Sequence, residues 1–331
     1  MAQITSHRPR YAVVDIVRGI ALMAMMIYHC FWDLAYFRFY PVDVSADLGW
    51  VIYARSILGT FLFLVGVGLV LGHGRAIRWN AFWKRFAMVT GAAIIVTIAT
   101  LILFPQTFVY FGILHAIALF SLLALAFLRM PVWLVAVLAL VILVVGWGYS
   151  NPFYNERIPS VLGLWTVPPP ANDLVPLLPW FGLVLAGIAV ARLVLNSSLG
   201  PRLAAFKATS WPLRGLAFLG RWSLLFYLIH QPILLGVIYP LSLAVHPGLA
   251  EQNVAFLNNC QSTCIAGGTS EKLCMRYCQC GLSGVIDNDL WNAVNSGAPN
   301  ANEQMQLDVV TKACSALIYP VGPEPVLKPA P

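Results

Sequence analysis

Seven stretches of the chain stay apolar for about the 20 residues that a helix needs to cross hydrocarbon. They cover 12–36, 48–72, 86–104, 108–128, 131–149, 176–196 and 219–243. Each predicts a membrane-spanning helix, and only Arg129, Met130 and Pro131 separate the fourth from the fifth. From about residue 249 the pattern becomes that of a soluble segment. The expected fold is therefore all-α: a polytopic helix bundle of about seven spans over residues 1–248, then a small extracytoplasmic cysteine-rich segment over 249–331. Pro320, Pro323, Pro325, Pro329 and Pro331 mark a tail expected to have no fixed structure.

Composition removes the soluble alternative. The 331 residues are 60% hydrophobic and only 10% charged, with a mean hydropathy of +0.78. Soluble domains run at about 45–50% apolar and about 25% charged, so this chain must bury its surface in lipid. The first apolar stretch carries Asp15, Arg18, His29 and Asp33 and no small-residue cleavage site, which predicts a span and not a cleaved leader.

Charge then sets the expected orientation. With the N-terminus inside, the cytoplasmic segments collect Arg8, Arg10, Arg75, Arg78, Lys84, Arg85, Arg129, Arg192, Arg202, Lys207, Arg214 and Arg221. The outer loops before residue 248 hold only Arg38 and Arg157, and twelve cations against two is a strong positive-inside bias. An odd number of spans delivers the C-terminus to the outside, periplasmic in a Gram-negative cell. The cysteines point the same way, since six of the seven lie in the last 72 residues and an even cluster in a polar segment fits an oxidising compartment. Cys260-x3-Cys264 and Cys274-x3-Cys278 flank a Gly-Gly turn, a spacing that suits a helical hairpin. Among the 15 pairings open to six cysteines the preferred set is Cys264–Cys274, Cys260–Cys278 and Cys280–Cys314. Zinc is the rival reading, although x3 spacing suits zinc ligation only loosely. No metal and no nucleic-acid partner is expected.

The chemistry lies on the first span. At about 100° per residue, Asp15, Arg18, His29 and Asp33 fall within about 60° of one another. An ionised side chain at the bilayer centre costs about 2.5–3.5 kcal/mol on insertion scales, so such a stripe must face inward and find partners. Asp15 and Arg18 read equally well as a snorkelling ion pair. His29 and Asp33, at i and i+4, have the spacing by which a carboxylate orients an imidazole and stabilises its protonated form, which is what a general base requires. Arg55 in the second span and His115 in the fourth share their outer depth, and His230 in Tyr227-Leu228-Ile229-His230-Gln231 lies nearer the midplane of the last. Each alone reads as a satisfied interhelical hydrogen bond. Together they predict a cavity with chemistry in it.

Asp15, Arg18-Gly19, Met25-Met26, His29 and Asp33-Leu34 together resemble the opening of the heparan-alpha-glucosaminide N-acetyltransferase catalytic-domain family. Phe111-Gly112-Ile113-Leu114-His115 looks like its second polar signature, and Ser223 to Gln231 is similar to a last-span motif shared with wider membrane acyltransferases. The resemblance runs from about residue 10 to 243 and leaves out the cysteine-rich segment, and several members of the family have more spans. It implies transfer of an acetyl group from cytoplasmic acetyl-CoA to an amino sugar or glycan on the far side of the bilayer, with His29 as the catalytic residue.

On that reading Asp33 orients and charge-balances His29, and Arg55 or His115 donates to the developing oxyanion. Arg75, Arg78, Lys84 and Arg85 are candidates for the donor phosphates, as are Arg214 and Arg221, while Arg18 and His230 lie deeper along the donor's path; each basic residue also serves topology. His29 acts either as a base or as an acetyl carrier. Two other functions compete: a proton-coupled small-molecule transporter with the polar cluster as its relay, and a haem protein ligated by His29, His115 and His230.

Overall fold

A computed structural model describes residues 11–74, 76–245 and 247–318. The chain is 76% helical, and among the described residues the one β-bridge pairs Phe111 with Leu174. Two compact units emerge. One takes the chain to Tyr36 together with Tyr40–Ile238, and the other takes Phe37–Phe39 and the chain from Tyr239. Arg8, Arg10, Arg75 and the Pro-rich tail lie outside the described residues.

The first unit contains α1 (Ala12–Tyr36), α2 (Leu48–His73), α3 (Trp79–Leu103), α4 (Ile113–Ala124), α5 (Val132–Gly148), α6 (Leu177–Leu195), α7 (Leu199–Ala205), α8 (Trp211–Arg221) and most of α9 (Ser223–Val245). A helix stands at each of the seven expected places. Of these α1, α2, α3, α6 and α9 are long and apolar enough to cross a membrane, whereas Ile113–Phe127 and Val132–Gly146 are shorter apolar helices. At about 1.5 Å per residue those two fall short of about 30 Å of hydrocarbon.

The shortening has local causes. Residues 108–112 are extended, held by the Thr97 hydroxyl donating to the Val109 carbonyl at 2.7 Å and by the Val109 N–H donating to Thr100 at 3.0 Å. Pro131 cannot extend a helix from Met130, and the freed Met130 carbonyl accepts from the Arg192 guanidinium. The seventh apolar stretch breaks at Trp222 (φ −98°, ψ 19°) into α8 and α9.

The core of this unit lies between α2, α4, α5 and α6, where Leu62, Phe120, Val135, Val184, Leu185 and Ile188 are completely buried. Two glycines let α2 and α6 touch backbone to backbone. A methyl on Gly66 would lie 2.0 Å from the Val184 carbonyl oxygen, and one on Gly187 2.1 Å from that of Phe63. In lipid, where no hydrophobic drive joins helices, such close approach is the main source of cohesion. The same device joins α1 to α8 at Gly19 and Gly220. Outward, α3 exposes Ile94, Ile95, Ile98 and Ile102 and α5 exposes Val137, Leu140, Val141 and Val144, the surface a lipid-facing helix needs.

The second unit holds α10 (Pro247–Ala266), α11 (Glu271–Asp287), α12 (Trp291–Ser296) and α13 (Ala301–Ser315). Gly268, at φ +88°, turns α10 back onto α11 in a conformation that disfavours residues with a Cβ. Disulfides Cys260–Cys278 and Cys264–Cys274 close that hairpin with Cα–Cα separations of 5.8 and 5.7 Å, and Cys280–Cys314 ties α11 to α13 at 5.7 Å. This is the preferred pairing of the sequence reading. Cys274, Cys278, Cys314, Val285 and Leu290 form its small core.

Candidate active site

The polar stripe of α1 faces inward. Asp15 is 6% exposed and Asp33 is fully buried, with Leu22 between them also fully buried. At the N-terminal end Arg18 lies 3.5 Å and Arg221 3.8 Å from the Asp15 carboxylate. Arg221 reaches it because Gly19 and Gly220 bring α8 against α1. The i, i+3 pair of the sequence reading is thus part of a clasp between two helices.

Further along α1 the pairing differs from expectation. The His29 ring lies 5.0 Å from that of His230 on α9, centroid to centroid, with the planes at 54°. Tyr28 packs edge-on to His29 at 5.6 Å and Tyr227 lies 5.8 Å from His230. His230 donates its Nδ1–H to the Tyr227 carbonyl at 2.7 Å, with the Phe226 carbonyl at 3.2 Å. Carbonyls only accept, so Nδ1 carries the proton and Nε2 presents a lone pair. That Nε2 is buried without a hydrogen-bond partner, and His29 makes no hydrogen bond among the described residues.

Asp33 does not bind His29. Its Oδ1 accepts from Gln231 Nε2 at 2.7 Å, while its Oδ2 and the Gln231 Oε1 are buried and unpartnered. The carboxylate expected to orient the imidazole is instead a tether from α1 to α9. The reason is packing: Gln231 follows His230 on α9, so the contact that places one imidazole beside the other also brings an amide donor to the acid one turn further on. Three buried acceptors, Asp33 Oδ2, His230 Nε2 and Gln231 Oε1, are thereby left at the α1–α9 junction, and such atoms call for water or a hydrogen-bond-donating ligand.

His115 is committed elsewhere. Its Nδ1 accepts from the Gly112 N–H at 3.3 Å and its Nε2 faces the Thr97 hydroxyl at 3.2 Å. It closes the first turn of α4 and fixes the extended segment before it, so both nitrogens are occupied and the expected oxyanion donation has no free N–H behind it. Arg55 is exposed on α2, about 200° around that helix from Tyr53, whose hydroxyl donates to the Ala24 carbonyl of α1 at 3.1 Å. It therefore points away from α1 and does not join the histidines.

Of the expected donor-binding cations, Arg78 and Lys84 are exposed, and the Arg78 N–H donates to His73 Nδ1 at 3.2 Å. Arg75 lies outside the described residues. Arg85 is exposed as well, but its guanidinium lies along α2, where a methyl on Gly68 would be 3.7 Å from its Nη1. With His73 and Ser121 it lines a cavity otherwise walled by Val65, Leu69, Phe82, Phe86, Val89 and Ile117.

Asp173 was not singled out from the sequence, and the structure gives it a central place. Its Oδ2 accepts the Ile113 N–H at 2.8 Å, capping α4 from 60 residues away. Loss of solvent around it pushes the carboxyl up to about 6, against the pull of that backbone N–H. It stands in the loop 149–176, whose folding rests on Asn155 accepting from the Thr166 and Val167 N–H groups and on Tyr110 bonded to the buried Ser160 at 2.8 Å. A lone acid in a Pro-rich loop carries no spacing signal. Gln231 stood within a quoted motif but had no charge to draw notice.

The fold and the paired imidazoles define a multi-pass membrane protein that carries a buried polar centre between its first helix and its last span. The chain belongs to the heparan-alpha-glucosaminide N-acetyltransferase catalytic family, which matches residues 10–232. The match closes just past Gln231, so it contains both histidines and leaves out the disulfide-bonded helices. No curated protein and no solved structure gives a match. At the family level the protein is a membrane acetyltransferase.

Proposed function

We propose that the protein transfers an acetyl group from cytoplasmic acetyl-CoA to the amine of an amino sugar or glycan on the outer side of the membrane, with His29 as the base. The observation that carries this reading is the His29–His230 pair, an imidazole with unengaged nitrogens set against a second ring in the bundle interior. The family match supports the acetyl donor and the amino-sugar class.

His29 removes the proton from the acceptor nitrogen as the new N–C bond forms to the acetyl carbonyl and the C–S bond breaks. The proton passes from His29 to the departing thiolate, so an amine and a thioester become an amide and a thiol. The basic residues that collect on the cytoplasmic segments suit the donor's phosphates, and the lining of a cavity by Arg85 beside His73 and Ser121 favours Arg85 among them. The cavity there is about 20 Å³, room for about one water. The disulfides suit an oxidising exterior for the C-terminal segment.

The test is transfer of radiolabel from acetyl-CoA to glucosamine in sealed vesicles of known orientation. Label appears on the acceptor only when donor and acceptor are on opposite faces, and His29→Ala abolishes it while the protein stays inserted. Turnover by that variant at the wild-type rate would overturn the assignment.

A further inference from the structure

We propose that His230 is the positioning residue of His29: its Nε2 accepts one ring N–H of His29, so that the other nitrogen of His29 is held as the lone-pair base toward the acceptor. This rests on the acetyl-transfer reading above and moves to His230 the orienting task expected of Asp33.

Four observations carry it. The tautomer of His230 is fixed by the chain itself, because Nδ1 sits 2.7 Å from the Tyr227 carbonyl and 3.2 Å from that of Phe226. In a neutral ring Nε2 is then an acceptor. That Nε2 is buried and empty-handed on a residue only 8% exposed, an arrangement a folded chain keeps when a partner is to be supplied. The partner within reach is His29: an N–H···N bond of about 2.9 Å between two imidazoles sets their centroids about 5 Å apart, and the observed separation is 5.0 Å. Finally, Asp33 Oδ1 accepts from Gln231 at 2.7 Å and the carboxylate makes no hydrogen bond to His29, and because Gln231 adjoins His230 the same bond sets the register of His230 against His29.

The division of labour resembles that in other base-assisted transfers, where a base needs a second group to fix its tautomer. Here a backbone-anchored imidazole does what an acid does elsewhere. It orients without adding a second carboxylate to the one that Asp33 already buries there.

The experiment compares His230→Ala and His230→Gln in full-length protein reconstituted with radiolabelled acetyl-CoA and glucosamine. Gln places an amide oxygen near the position of Nε2 and so keeps the acceptor without a titrating ring. The expected result is a 30- to 100-fold fall in kcat for His230→Ala with the KM for acetyl-CoA unchanged, and recovery to within about fivefold in His230→Gln. Monodisperse elution of both variants in detergent establishes folding. In protein labelled with ¹⁵N-histidine, His230 is expected to show the Nδ1–H tautomer, and its Nε2 resonance is expected to move in His29→Ala. Wild-type kcat in His230→Ala overturns the proposal, as does an Nε2–H tautomer, a fixed Nε2 resonance, or equal loss in both variants. If wild-type protein transfers no acetyl group while the resonance still moves, the activity reading fails and the histidine pairing stands.

Discussion

Replacing Asp33 separates a tether from a charge. Asp33 is fully buried and one of its oxygens accepts from Gln231 Nε2 at 2.7 Å. In Asp33→Asn the amide oxygen keeps that bond and a buried charge disappears. In Asp33→Ala the bond is lost and the Gln231 amide is left buried with neither its N–H nor its oxygen satisfied, which costs about 1.5–3 kcal/mol for a bond to a charged group. Against a total stability of about 5–15 kcal/mol this is large, and at about 1.4 kcal/mol per factor of ten it changes the population of loosened α9 by about 10- to 100-fold. Thermal stability in detergent, followed by fluorescence-detected gel filtration, should place Asp33→Ala several degrees below wild type and Asp33→Asn at or above it. Acetyl transfer should follow the same order, with Asn within about threefold of wild type and Ala reduced at least tenfold, since the tether sets the register of His230. If Asp33→Asn loses activity as fully as Asp33→Ala while both fold, the carboxylate acts through its charge and the tether argument is refuted.

Two further outcomes follow from the geometry. Arg85→Gln should raise the KM for acetyl-CoA about tenfold with kcat little changed, the loss of one charge-assisted contact, whereas Lys84→Gln, at a residue that does not line the cavity, should leave both constants alone; the two saturation curves decide, and equal effects would remove Arg85 from donor binding. Replacing both Cys280 and Cys314 by Ser opens a 34-residue loop, worth about 4 kcal/mol of unfolded-state entropy. Trypsin should then cut much faster after Lys312 and Arg276 in the full-length protein, and unchanged protection would show that the helices hold without the bridge.

The sequence by itself determined the class and the approximate helix positions, because each is a local property. Hydrophobicity sustained for about 20 residues is enough to place a span, and four ionisable residues recurring at helical period are enough to predict an inward stripe, which Asp15 and Asp33 confirm by burial. Cysteine spacing either side of a Gly turn favoured the disulfide hairpin without excluding the other pairings, and the structure joins Cys260 to Cys278 and Cys264 to Cys274. What only the tertiary structure decided was which polar groups meet. His29 and Asp33 share a face, but a neighbour at i+4 competes with every group that another helix brings, and α9 brings a better donor for the acid and a ring for the imidazole. Likewise His115 and Arg55 were expected to share the depth of His29, yet depth does not fix the rotation of a helix about its axis. One turns to cap α4 and the other points outward. Asp173 acts through a contact 60 residues distant, and no pattern within a single sequence records a partner that chain reversal alone supplies.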